Sequence, residues 1–282
     1  MYGEALAWYT ANARELPWRE PDAGAWPILI SEIMLQQTPV VRVLPAWTEW
    51  VSRWPTPADL AAEPVSEAIR AWGRLGYPRR AKWLHACAGK IVENHGGEVP
   101  RQLDQLLALP GIGDYTARAV LSFAYGQRHP VVDTNVRRLV ARVLNGVEDQ
   151  AIPLSTVEDL LPPQPAQAAV VSAAFMELGA LVCTAKSPRC EVCPYAQRCA
   201  WREAGSPLPD KPFRKTQTYA GTDRQVRGKL LAVLRDNSGP VPKQQLDGVW
   251  HDEIQRERAL RSLLEDGLVS TRSGDVFFLP GA

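Results

Sequence analysis

The sequence contains no uninterrupted apolar run near the roughly 18 residues that a membrane-spanning helix needs. Its first stretch, MYGEALAWYTANARELPW, shows no basic segment leading into an apolar core. The expectation is a soluble protein of the cytoplasm with no membrane partner. An excess of either charge is also missing, since 32 Lys and Arg stand against 31 Asp and Glu. A nucleic-acid surface would therefore have to come from local patches. Cysteine is nearly absent outside one stretch: four of the five lie in LVCTAKSPRCEVCPYAQRCA, residues 181–200. An odd, clustered count in a chain without a secretory signal argues against a disulfide framework and for a metal site. The fifth, Cys87, sits in the apolar helical stretch WLHACAGKIV and reads as a small buried hydrophobe. Alternating β-branched residues are scarce from about 27 to 200, so no sheet is expected there.

What is present is a series of short helices punctuated by Pro and Gly. With 282 residues, 45% of them hydrophobic, the chain is long enough for two or three domains. WPILISEIMLQQ has Pro27 in its first turn, and a new helix starts after Pro39. SEAIRAWGRLGYPRRAKWLHACAGKIVENHGG holds two helices broken at Gly76-Tyr77-Pro78. RQLDQLLALPGIGDYTARAVLSFAYG reads as helix, tight glycine hairpin, helix, and DTNVRRLVARVLNG as a helix capped by Asp133 and stopped by Gly146. EAGSPLPDKPFRKTQTYAGT has the composition of a linker. Beyond it, three helical segments and the hairpin-like LVSTRSGDVFFLP suggest a winged-helix module.

Three features carry chemistry. Gly111 and Gly113 allow a hairpin that a Cβ would obstruct, and the amides opening the next helix can take a phosphate oxygen; an ordinary helix–helix turn is the alternative. Glu32 shares a helical face with Ile28 and Leu35, where an acid is costly to ionise and can keep its proton; otherwise it turns to the helix edge and pairs with an arginine. Asp133 is placed to cap a helix, which favours its charged form. A protonated and an ionised carboxyl group together suit N-glycosidic cleavage, one for the leaving base and one for the sugar cation. The four thiols suit either zinc or an iron-sulfur cluster, although a single Cys-x2-Cys pair is unusual for a zinc ribbon.

The ordered motifs SEIMLQQT, RLGY, LPGIGDYTA, VVDTNVRR, MELGALVCT and Cys-x6-Cys-x2-Cys-x5-Cys resemble the helix-hairpin-helix DNA glycosylases, and among them the MutY-type adenine DNA glycosylases. The resemblance runs from about residue 5 to 202. It implies a mostly α fold, with an iron-sulfur helical domain from 1–22 and 133–203 and a six-helix domain with the helix-hairpin-helix from 23–132; the residues beyond it read by themselves as the linker at 204–219 and the winged-helix-like module at 220–282. It implies a [4Fe-4S] cluster on Cys183, Cys190, Cys193 and Cys199. The activity implied is removal of adenine mispaired with 8-oxoguanine or guanine, by a monomer acting on double-stranded DNA.

By the same resemblance Glu32 protonates adenine at N7, Asp133 stabilises the sugar cation, and Asn135 assists it. Tyr115 stands where bifunctional relatives similar to endonuclease III carry a Schiff-base lysine, so hydrolysis without strand cleavage is expected. Arg14, Trp18, Leu35 and Glu177 match the adenine pocket, with Glu177 bonded to the exocyclic amine. Gln37 and Tyr77 match the wedge that fills the space left by the extruded nucleotide. Arg79, Arg80, Lys186 and Arg189 join Gly111 and Gly113 as phosphate contacts, with Arg74, Lys82, Arg118 and Arg137 as further candidates. The pattern departs from the family at residues 220–282, too short for the Nudix-like domain that reads 8-oxoguanine in better known members. The rival readings are a T:G or U:G mismatch glycosylase and a non-catalytic DNA-binding scaffold.

Overall fold

The computed structural model describes residues 1–148, 151–207, 218–272 and 275–281. Most of the linker expected at 204–219 therefore lies outside the described residues. The helices in chain order are α1 (Tyr2–Asn12), α2 (Ala25–Leu35), α3 (Val40–Arg53), α4 (Pro57–Ala62), α5 (Val65–Trp72), α6 (Arg79–His95), α7 (Leu103–Leu107), α8 (Asp114–Tyr125), α9 (Thr134–Val140), α10 (Leu154–Asp159), α11 (Pro165–Leu181), α12 (Ala200–Glu203), α13 (Asp223–Asp236), α14 (Lys243–Asp247) and α15 (Glu253–Glu265). Among the described residues, none of these is long and apolar enough to cross a membrane.

The chain forms two compact units, one from the described residues of 1–28, 101–107 and 112–215, the other from those of 29–100, 108–111 and 216–282. In the first, α11 is the central element and packs on α1, α8 and α9. Its Ala174, Phe175 and Leu178 join Val136, Leu139 and Val140 of α9 and Ala5 of α1 in one apolar core. The side chain of Asp133 caps α9, accepting from Val136 N at 2.7 Å. A π-helical turn, Ala141–Asn145, continues α9 before Gly146 ends it in the left-handed region at φ 73°. That wider turn places Arg142 inside the core.

In the second unit α6 packs on α4 and α5. A capping box opens α4, where Thr56 and Asp59 satisfy each other's backbone amides. Three tryptophans stack edge to face beneath these helices, with Trp50 ring centroids 4.8 Å from Trp54 and 5.5 Å from Trp72. The break between α5 and α6 falls at Gly76-Tyr77-Pro78 as the sequence indicates.

The carboxy-terminal segment runs α13, β1 (Val241–Pro242), α14, α15, β2 (Ser270–Thr271), β3 (Val276–Phe278), which is the order of a winged helix. Its antiparallel sheet has the strand order β1-β3-β2, with Val241 opposite Phe277 and Ser270 opposite Phe278. Strand β1, two residues long, gives no periodicity to read and was not expected. Val226, Leu230, Leu231 and Leu234 of α13 pack on Ala259, Leu260 and Leu263 of α15. The segment is tied to the α5–α6 connection by Arg70, which donates to the carbonyl oxygens of Leu234 and Arg235, and by Arg235, which donates to that of Gly73.

Candidate active site and nucleic-acid interface

At the α9 cap each Asp133 oxygen has its own donor. Oδ1 takes the Val136 amide, and Oδ2 takes Asn135 Nδ2 at 2.8 Å. Asn135 cannot turn over, because Arg138 Nη2 donates to its Oδ1 at 2.8 Å. Arg138 is itself held by the carbonyl oxygens of Gly179 and Cys183, both at 2.6 Å. The result is a chain of oriented donors running from the cysteine segment to the Asp133 carboxylate. α9 and α11 approach so closely here that a Cβ on Gly179 would lie 2.6 Å from the Asn135 carbonyl oxygen. Arg138 was missed in the sequence. Its spacing of one helical turn from Asn135 was the available signal.

Glu177, on α11, is fully buried. Arg14 donates to Oε1 from its backbone N at 3.1 Å and from Nε at 2.6 Å, and to Oε2 from Nη2 at 2.7 Å, while Arg19 Nη2 reaches Oε2 at 2.9 Å. Four donors fill the lone-pair sites of a carboxylate, so the expected bond to an exocyclic amine has no acceptor site in this arrangement. Arg19, not singled out in the sequence, shares the site with Arg14. Burial alone would push the Glu177 carboxyl up, but the two guanidinium groups outweigh it and hold it at about 2 against an ordinary 4.5. A depressed carboxylate contributes stability that is complete above the ordinary value and lost as pH falls through the folded one. Glu177→Gln is therefore expected to be less stable at neutral pH by on the order of 3 kcal/mol. In urea unfolding, wild type and variant should converge as pH falls from about 4.5 to about 2. A difference independent of pH would contradict this assignment.

Glu32 is 5% exposed on α2, a helix buried nearly all round through Leu29, Ile30, Ser31, Ile33 and Met34. It therefore does not sit at a solvent-facing helix edge. Trp18 is likewise buried at 6%, and Leu35 is half-buried. The Tyr115 hydroxyl points to Met176 Sδ at 3.9 Å. Gln37, beyond the end of α2, and Tyr77, before α6, are both exposed, Tyr77 by 51%.

Of the two hairpin glycines only Gly111 is sterically required. It has φ 77°, and a Cβ there would meet the Trp83 Cβ at 2.8 Å. Gly113 has φ −100° as the cap residue of α8, and a Cβ on it would meet nothing within 4 Å. This corrects the expectation that both positions exclude a side chain. The phosphate track also changes. Arg80 is 3% exposed with its guanidinium turned inward, so it is unavailable to a phosphate. Arg118 is spent on Asp114, with Nε 3.0 Å from Oδ1 and 2.9 Å from Oδ2. Arg79 pairs with Asp266 at 3.3 Å but stays exposed, as do Arg74, Arg137, Lys186 and Arg189.

Cys183, Cys190, Cys193 and Cys199 line one cavity with Val143, Val182, Pro188 and Ala196. Arg142 lies at its edge, with Nη1 3.5 Å from Cys183 Sγ and 2.8 Å from the Thr184 oxygen and its guanidinium 4.4 Å from the Trp201 ring centre. Burial pushes the Cys193 thiol up to about 11 and moves Cys183 and Cys190 in the same direction. Cys87 is fully buried, as expected, and its thiol is pushed up to about 12.

Comparison with known proteins places these features in context. The family model described as HhH-GPD superfamily base excision DNA repair protein matches residues 30–160. The adenine DNA glycosylase of Mycolicibacterium smegmatis is 56% identical over 284 residues, covering 99% of this chain and 95% of its own. That of Mycobacterium tuberculosis is 54% identical, covering 98% of this chain and 92% of its own. Among solved structures, a thermostable thymine-DNA glycosylase superposes with a TM-score of 0.67 at 27% identity, over 72% of this chain and 95% of that one.

Proposed function

The chain belongs to the adenine DNA glycosylases of the HhH-GPD superfamily, and from that premise we propose that it excises adenine mispaired with 8-oxoguanine or guanine from double-stranded DNA. It acts as a monomer in the cytoplasm and hydrolyses the N-glycosidic bond. The observation that carries this reading is 56% identity to an adenine DNA glycosylase along 99% of the chain. The chemistry of the two carboxyl groups supports it. Glu32, in an apolar helix, gives a proton to adenine N7 so that the base departs neutral. Asp133, held as an acceptor by Val136 N and Asn135, stabilises the oxocarbenium ion until water adds at C1′. The product is an abasic site. Tyr115 supplies no amine, so no Schiff base forms and the strand stays intact.

The cysteine cavity suits a [4Fe-4S] cluster better than zinc. All four cysteines line one recess, and their Cys-x6-Cys-x2-Cys-x5-Cys spacing has one Cys-x2-Cys pair where zinc ribbons use two. Cys183, Cys190, Cys193 and Cys199 would hold the cluster, whose contribution there is to fix the segment between its first two ligands. That segment, TAKSPR, presents exposed Lys186 and Arg189, which suits contact with a phosphate backbone. The reading is tested on duplexes containing A:8-oxoguanine, A:G, T:G and U:G. Adenine release from the first two, with no thymine or uracil release, is expected. Release from T:G alone would replace the adenine assignment with that of a thymine mismatch enzyme.

A further inference from the structure

Gln37 and Tyr77 have backbones that L-residues seldom adopt, with φ of 55° and 48°. Ser206 is the one other non-glycine residue with positive φ among the described residues. Both lie in the second unit, on two turns far apart in sequence, and both side chains are exposed. Between the turns is a single buried guanidinium, that of Arg80. Its Nη1 donates to the carbonyl oxygens of Ile33 at 2.8 Å, Met34 at 3.0 Å and Gln36 at 2.6 Å, the last turn of α2 and the residue before Gln37. Its Nη2 donates to Thr38 Oγ1 at 2.9 Å, just past Gln37, and to the carbonyl oxygen of Gly76 at 3.1 Å, just before Tyr77. The guanidinium carbon lies over the Tyr77 ring at 5.4 Å from its centre and over that of Trp72 at 5.1 Å.

None of these hydrogen-bond acceptors is a carboxylate. The charge is held by peptide dipoles at a helix carboxy terminus, where unpaired carbonyl groups attract a cation. Burial lowers the Arg80 pKa to about 10, so the group remains a cation at neutral pH. Only a planar fork can serve both turns at once while stacking on a ring; a lysine ammonium is a single point of charge without that reach. Backbone strain concentrated at two exposed residues and held by one buried group marks a site shaped for a task beyond packing.

We propose that Arg80 is a positioning residue: it locks the turns bearing Gln37 and Tyr77 so that both side chains are already in the shape in which they enter a duplex. This inference rests on the reading of the chain as an adenine-excising enzyme. Because the wedge is built before DNA arrives, binding energy goes to opening the base pair instead of ordering the loops.

The test compares wild type with Arg80→Lys on two duplexes, one with an A:G pair and one in which the adenine faces an abasic gap and needs no wedge. Single-turnover adenine release from A:G should fall roughly ten- to a hundredfold, with about threefold loss or less on the gapped duplex. The rise in 2-aminopurine emission next to the mispair, which reports extrusion, should shrink in parallel. The salt dependence of binding should keep its slope, whereas a lost phosphate contact would lower it by about one. Equal losses on the two duplexes, or a reduced salt slope, would overturn the proposal. Should Arg80→Lys not fold, Thr38→Val removes one bond of the fork and should show the same split at smaller size; no split there also overturns it. Wild type inactive on every adenine duplex would refute the enzymatic reading instead, and the 2-aminopurine signal would still decide whether Arg80 governs extrusion.

Discussion

Asp133→Asn is expected to slow adenine release on the order of 1,000-fold, with duplex binding nearly unchanged and the fold kept at a cost of about 1–2 kcal/mol. The fold is kept because an asparagine oxygen can accept from Val136 N as the aspartate does, and the two residues are equivalent as helix caps. Catalysis is not preserved, for two reasons. The negative charge proposed to stabilise the sugar cation is gone. In addition, the new amide nitrogen faces Asn135 Nδ2, a second donor, and Asn135 cannot rotate away because its oxygen is committed to Arg138. The substitution thus places two donors against each other in a network that has no spare rotamer. Single-turnover release, a binding isotherm and a melting curve decide the matter. Activity equal to wild type would remove Asp133 from the mechanism, and lost binding would mean that the variant is misfolded.

Glu32→Gln carries the second large effect, a loss of about 100-fold or more in adenine release, the usual scale for removing a general acid. The two side chains have nearly the same volume, so a site only 5% exposed is neither emptied nor overfilled. The amide keeps hydrogen-bonding capacity but has no proton to transfer at neutral pH. A duplex carrying 7-deazaadenine separates this role from a packing defect. That base lacks the nitrogen to be protonated, so wild type and variant should process it at similar, low rates. A variant still much slower than wild type on 7-deazaadenine would show that Glu32 acts by something other than proton transfer.

Much of this protein can be read in its sequence because the relevant physics is local. The cap at Asp133, the break at Gly76-Tyr77-Pro78 and the turn at Gly111 each depend on a few adjacent residues whose backbone preferences are strong. The cysteine spacing, and the helices and closing hairpin of the carboxy-terminal segment, are legible for the same reason. Gly113 misled because a glycine beside a hairpin looks the same whether its missing Cβ is needed or idle. Strand β1 escaped because two residues carry no period.

What tertiary structure alone decided is how the charged side chains are spent. Arg80 looks from its neighbours Arg79 and Lys82 like one more cation for DNA. It became a buried clamp because residues 47 positions away present unpaired carbonyl groups to it. Arg138 is indistinguishable from Arg137 by composition, but a separation of 45 residues closes on the Cys183 carbonyl and links the cysteine segment to Asp133. Glu177 had the look of an open acceptor until folding brought Arg14 and Arg19 onto it across some 160 residues. A side chain's own type sets what bonds it can make; which bonds it does make is set by burial, since a guanidinium or carboxylate removed from water must find partners wherever the packed chain supplies them.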